Sequence, residues 1–438
     1  MAWLKPKIGC RPVRVVYSVI FYFLVPLILL RMAWRARREP GYRHRWLERF
    51  GLYGKASVVR GVVWFHAVSV GESEAAFPLI RAMRRRFPEM PVLVTTTTPT
   101  GSARVKAVMG DEVAHVYLPY DLPDAVARFL ANFQPRLAVI METEIWPNLF
   151  HACSKRQIPL AIVNARLSER STKGYKRLGS FTRDTLASVK LIAAQTQADA
   201  DRFVSVGANP DQVAVTGNIK YDIELPDDYF QQGLVLRDSL FGKRPVWIAA
   251  STHEGEELLV LKAFSEVRVA HPELLLVLVP RHPPRFDKVA NLCVSEGFTL
   301  SRRSLNETAM QADIFLVDTL GELRQFYAAS DITFIGGSLV PIGGHNVLEA
   351  AIAGIPVIFG THMFNFLEAG RRLIEAGGAI QISDGDKLAG VVIDLLHDFN
   401  RNLRMGENGK EFVEAGRGAL GRVEEALAGL VDASRSIG

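Results

Sequence analysis

Ser69-Val-Gly-Glu72 closes an apolar run and opens a helical pattern, and it carries the first residues that can do chemistry. A helix dipole favours an anion at its N-terminus, so Glu72 is expected to stay ionised. An ionised carboxylate facing the cleft can act as general base on an acceptor hydroxyl. The plainer alternative is a cap, with Ser69 or Glu72 satisfying free backbone N–H groups. Glu142-Thr-Glu-Ile-Trp-Pro-Asn148 places two carboxylates, Glu142 and Glu144, at another strand end without a DxD-type pair, so a metal-independent reaction is expected. Arg166, in Asn164-Ala-Arg-Leu-Ser168, adds a fixed cation suited to a carboxylate or phosphate.

The second half of the chain has its own set. Ser251-Thr-His-Glu254 reads as a helix cap. Arg281 and His282, in Pro280-Arg-His-Pro283, follow a strand and can hold a phosphate; the alternative for Arg281 is a surface ion pair. Asp318-Thr-Leu-Gly-Glu-Leu323 is a turn into a helix whose free N–H groups could read a base or ribose. The glycine-rich stretch from Gly337 to Glu349 lies between an apolar run and a helical one, as an anion site would. It is neither Gly-x-Gly-x-x-Gly nor a Walker loop, so NAD and ATP are not its default ligands. Its glycines, Gly343 and Gly344 among them, equally suit a turn that only permits tight packing.

The elements that must position these loops follow a βα rhythm. Strands are expected at Val62–Ala67, Pro91–Thr98, Val113–Leu118, Leu137–Met141, Ile158–Val163 and Leu191–Ala194, with a long helical stretch near Ser171–Ser188. The rhythm lapses around Gly217–Phe230, where Pro226, Asp227 and Asp228 mark a linker. It restarts with strands at Val246–Ala250, Leu274–Val279, Ile314–Val317, Ile332–Ile335 and Val357–Phe359. Alternation of this kind specifies parallel sheets covered on both faces. Two doubly wound α/β domains are expected, residues 51–225 and 226–438, facing a cleft, with the last helix able to pack back on the first. Ligands of such folds sit at the carboxyl ends of the strands, where the loops above lie.

Residues 1–50 form a separate segment. Val15–Leu30 has no charged residue and is bracketed by Arg14 and Arg31. Sixteen residues fall short of the roughly 20 needed for a straight span, although snorkelling of the flanking arginines extends the reach. Arginines rather than a cleavage site follow, so the segment reads as an uncleaved anchor with the body on the cytoplasmic side. Residues 1–60 carry 13 Lys and Arg against two acids, within a chain of net charge +6, so the remainder is acidic. That distribution points to an anionic membrane surface as partner and away from nucleic acid. Cys10, Cys153 and Cys293 have no metal-ligand spacing, which fits a reducing compartment.

Taken in order, His66–Glu72, Glu142–Asn148, Asn164-Ala-Arg166, Gly217-Asn-Ile-Lys220, Pro280–Pro283, Gly321-Glu-Leu323 and Gly343-Gly-His-Asn-Val-Leu-Glu349 resemble the 3-deoxy-D-manno-octulosonic acid (Kdo) transferases of lipid A synthesis. The resemblance implies a GT-B fold and an inverting transfer from CMP-Kdo to the lipid A precursor lipid IVA at the inner membrane, with neither metal nor cofactor. It implies that Glu72 is the proton acceptor. It assigns CMP to Arg281, His282, Gly321, Glu322, Leu323, Asn346, Val347, Leu348 and Glu349; because a carboxylate does not suit a phosphate, Glu349 is expected to accept from ribose hydroxyls. Ser69, Gly71, Glu142, Glu144, Arg166, Gly343, Gly344 and His345 are further cleft candidates. The rivals are a GT-B transferase using a UDP-sugar, a nucleotide-sugar epimerase and a non-catalytic lipid-binding protein.

Overall fold

The computed structural model describes residues 11–54 and 59–435; Lys5, Lys7 and Cys10 lie outside the described residues. The chain forms two compact units, residues 1–220 with 418–438, and residues 221–417.

The first unit is built on seven strands: β1 (Val63–His66), β2 (Val92–Thr96), β3 (Ala114–Tyr117), β4 (Leu137–Met141), β5 (Leu160–Ala165), β6 (Leu191–Ala194) and β7 (Val213–Val215). They run parallel in the order β3-β2-β1-β4-β5-β6-β7. The central strands are buried at every position, because helices cover both faces of the sheet. The sheet reverses direction of winding between β1 and β4, with His66 paired to Ile140. Such a switch point leaves a crevice beyond the strand ends, because the two following connections part to opposite faces. The terminal helix, Ala419–Arg435, belongs to this unit: Val423, Leu427 and Val431 join the core around Ala75, Ile80 and Met83.

The second unit repeats the plan with β8 (Val246–Thr252), β9 (Leu275–Pro280), β10 (Leu300–Arg302), β11 (Ile314–Leu316), β12 (Ile332–Ile335), β13 (Val357–Phe359) and β14 (Ala379–Gln381). The parallel order is β10-β11-β9-β8-β12-β13-β14, and the switch point lies between β8 and β12. Trp247 is fully buried on one face of this sheet and Phe241 and Phe315 on the other.

Three strands escaped the hydrophobic pattern. β7, β10 and β14 are edge strands of three residues, too short and too exposed to show a period. The long helix expected near Ser171–Ser188 is two helices, Glu169–Leu178 and Ser180–Leu186, broken at Gly179 with φ 51°. The N-terminal apolar segment sits in a helix of 28 residues, Arg11–Arg38, longer than its uncharged stretch. Pro12–Arg37 within it is long and apolar enough to cross a membrane.

Candidate active site

At the first switch point, β1 leads through Ser69 into the helix Val70–Arg86. Ser69 caps that helix, accepting from the Glu72 backbone N–H at 3.4 Å. The Glu72 carboxylate reaches back, taking the Val68 N–H at 2.8 Å and the Ser69 hydroxyl at 3.0 Å. The capping geometry therefore exists, and it holds the carboxylate in one place. It does not keep the group acidic. Burial, with the charges of Glu142 and Glu144 adding to it, raises Glu72 from the ordinary 4.5 to about 7. This corrects the expectation that the helix dipole keeps Glu72 fully ionised: desolvation outweighs the dipole once the group leaves water. A carboxylate near 7 is better matched to proton abstraction at neutral pH than one at 4.5.

The neighbouring acids come from the other side of the switch point. Glu142 ends β4 in the left-handed region, φ 57°, an unfavourable conformation for a non-glycine residue. Its buried carboxylate takes Arg166 at 2.7 Å and Lys220 at 3.6 Å. Asn164, φ 51° and fully buried in β5, accepts from the Ile219 N–H at 3.1 Å and so draws the Gly217–Lys220 stretch to this site. Lys220 had no assigned role in the sequence, although its motif stood out. Glu144 is raised by burial, with Glu142 adding to it. Gly71 is exposed at the first turn of the helix.

The second switch point is occupied by the chain itself. Glu256, fully buried, accepts from the backbone N–H groups of Gly337 (2.6 Å), Ser338 (3.0 Å), Leu339 (2.9 Å) and His253 (3.0 Å). The start of the glycine-rich loop is therefore an anion site whose anion is Glu256. This corrects the reading of Gly337 onward as an open cradle, and that of Ser251–Glu254 as the helix cap: the helix runs Glu256–Ala270 after Gly255. Beside it, Glu257 holds Arg285 through two bonds of 2.7 and 2.9 Å. Gly343 and Gly344 both have positive φ, and a side chain at either would strike Phe364, Asn365 or Met363. Their freedom is used against the loop that follows β13.

The remaining candidates of this unit fall into three groups. Arg281 and His282 are exposed beyond β9, and Arg281 has no carboxylate partner among the described residues. His253 stacks on His345, ring planes 6° apart and Nε2 atoms 2.8 Å apart, while His282 meets His253 edge-on. Burial and the nearby Arg281 charge push His345 down to about 3, so it is neutral. Asn346 caps the short helix Val347–Ala351 by accepting from the Leu348 N–H, and Glu349 takes Arg324 at 2.9 Å. Gly321, φ 88°, turns the chain into Leu323–Ala328, and Glu322 pairs with Arg303 at 2.7 Å. Among the described residues no three His, Cys, Asp or Glu side chains converge as a metal would need.

Two parallel-sheet Rossmann-like units, each with its polar residues at the switch point, define the GT-B architecture. Solved structures of that architecture match most of the chain: a UDP-GlcNAc 2-epimerase from Neisseria meningitidis covers 84% of it, with all of that chain matched, TM-score 0.52 and 15% identity. A MnaA–UDP structure from S. aureus covers 83%, with 95% of that chain matched, TM-score 0.50 and 15% identity. At such identity they show the fold alone. The 3-deoxy-D-manno-octulosonic-acid transferase (kdotransferase) family profile matches residues 44–223. The 3-deoxy-D-manno-octulosonic acid transferase of Haemophilus influenzae is 43% identical over 94% of this chain and 98% of its own length. That of Bordetella pertussis is 39% identical over the same shares. The chain belongs to the family of Kdo transferases and is a glycosyltransferase.

Proposed function

We propose that this enzyme moves Kdo from CMP-Kdo to lipid IVA by a single inverting displacement with Glu72 as general base. The observation that carries the reading is Glu72 itself, held by Val68 and Ser69 and raised to about 7. Its carboxylate takes the proton of a lipid hydroxyl. The hydroxyl oxygen forms a bond to the Kdo anomeric carbon, and the bond from that carbon to the phosphate oxygen breaks, so CMP leaves with both electrons. One base and a good leaving group suffice for such a step.

On the donor side, Arg281 is the cation free to neutralise the phosphate, with His282 beside it. The turn Gly321–Leu323 and the helix start Asn346–Glu349 contact cytidine and ribose, Val347 and Leu348 through backbone alone because their side chains are buried in the core, and Glu349 through the carboxylate oxygen that Arg324 leaves available. The displacement runs without a metal, the phosphate charge resting on Arg281 and backbone N–H groups. The N-terminal helix anchors the enzyme to the anionic inner face of the inner membrane, with both units in the cytoplasm. Its apolar length and the arginines that follow it support this.

Incubating the purified enzyme with CMP-Kdo and lipid IVA and weighing the lipid product tests the reaction. A mass gain of one or more Kdo units is expected, inhibited by CMP and not by UDP. An unchanged lipid mass, or inhibition by UDP alone, would refute the donor and acceptor assignment.

A further inference from the structure

The N-terminal helix Arg11–Arg38 is not a free rod. Positions 14, 17, 18, 21, 25, 28, 32 and 36 are at least partly buried, while the residues between them are exposed. The spacing of three and four is that of one helical face. This face is fastened to the first unit along its length. The Tyr17 hydroxyl donates to Asp121 at 3.1 Å, and its ring lies 5.7 Å from Phe181. The Ser18 hydroxyl donates to Asn148 at 3.1 Å, the Tyr22 hydroxyl to Asp124 at 2.5 Å, and the Tyr120 hydroxyl reaches the Met32 sulfur at 3.8 Å. Asp121 in turn accepts from the Asn148 and Leu149 N–H groups that open the helix Pro147–Lys155.

From residue 14 to 36 the fastened face is about 33 Å long at 1.5 Å per residue, as long as the hydrocarbon core is thick. Tyr22 lies near the middle of the uncharged stretch. A helix standing across the bilayer in this arrangement would carry Asp124 and its partner Arg128 to the bilayer centre, where ions are strongly disfavoured. The opposite faces carry no such load. Val16, Phe23 and Leu30, seven residues apart and so on one line, are 56%, 81% and 69% exposed. Arg31, Arg35, Arg37 and Arg43 are exposed just beyond and have no carboxylate partner among the described residues. An apolar ridge beside a row of exposed arginines without carboxylate partners is complementary to one surface: the acyl–headgroup boundary of an anionic leaflet.

We infer that this helix lies in the plane of one leaflet, its Tyr17–Ser18–Tyr22 side docked on the first unit and its Val16–Phe23–Leu30 side in lipid, instead of spanning the bilayer. The inference rests on the membrane attachment proposed above. It has a consequence for the reaction. Asn148, under the helix, is six residues from Glu142, so at most about 20 Å of chain separates the lipid-bound helix from the acids around Glu72. A hydroxyl carried on a lipid headgroup can then reach the base without leaving the membrane surface.

The test uses the full chain with Cys10→Ser, leaving only the buried Cys153 and Cys293, and one added cysteine at position 16, 23 or 30. Each is labelled with an environment-sensitive fluorophore and mixed with phosphatidylethanolamine–phosphatidylglycerol vesicles bearing quenchers at defined depths. The expected result is flotation with the vesicles and one shallow depth, about 5–10 Å below the headgroups, for all three positions. A depth profile with position 23 at the bilayer centre and the other two nearer opposite surfaces would overturn the in-plane arrangement while leaving membrane attachment intact. Failure to float would overturn both and assign the ridge to a protein partner.

Discussion

The two switch points are the same construction with opposite outcomes. Each places the end of one strand and the start of a helix beside the loop of a neighbouring strand. In the second unit the buried carboxylate of Glu256 takes four backbone N–H groups and is fixed as a structural brace. In the first, the Glu72 carboxylate takes one N–H group and one hydroxyl, and faces two further acids. Burial raises both carboxylates, but at Glu256 four N–H donors oppose the shift, whereas at Glu72 like charges add to it and bring the group to about 7. The number of donors, not the sequence position at a helix start, separates brace from base.

Replacing the brace should give the largest effect. Glu256→Ala leaves four N–H groups without their acceptor in a dry site, so the second unit should lose about 3–5 kcal/mol in denaturant unfolding. A loss under 1 kcal/mol would mean water can replace the carboxylate and that the loop is an open anion site after all.

Arg281→Ala removes a cation that supports nothing else in the fold. The KM for the donor should rise about 10- to 100-fold, the range of a lost charge-assisted bond, with thermal stability unchanged. An unchanged KM would remove Arg281 from the donor site.

Glu72→Gln should make the fold more stable above neutral pH. Because the folded-state value is raised, the fold binds the Glu72 proton more tightly than the unfolded chain does. Stability contributed by that proton is present below about 4.5 and is lost as pH rises to about 7. The neutral amide escapes that loss, so at pH 8 the variant should gain about 1–2 kcal/mol after allowance for partial solvent screening. Glu256→Gln, tested beside it, should destabilise. Equal signs for the two would erase the distinction between the switch points.

Much of this was legible in the chain. The βα rhythm located the central strands because they are buried on both faces and read as unbroken apolar runs, and the polar clusters fell at their carboxyl ends. Three things were not legible. Glu256 closes the loop that follows β8 and meets Gly337–Leu339 only because β12 adds beside β8, a long-range pairing that no local pattern encodes. Glu72 has neighbours from β4, which the crossover brings next to β1, so its local setting at a helix start pointed to the wrong direction of shift. Glu142, Asn164 and Ser251 adopt positive φ at strand ends although none is glycine, and only the tertiary structure imposes that. The docked side of the N-terminal helix had a faint sequence signal: Tyr17, Ser18 and Tyr22 interrupt an otherwise aliphatic and Phe-rich stretch.

The central claim, that Glu72 is a base poised near neutrality, is tested most directly by the pH dependence of single-turnover transfer from CMP-Kdo between pH 5 and 9. The rate should climb with pH and level off above an inflection near 7, and Glu72→Gln should lower it by about 10²–10⁴-fold and abolish the inflection. A rate independent of pH across that range, or a Glu72→Gln enzyme that keeps both rate and inflection, would contradict it.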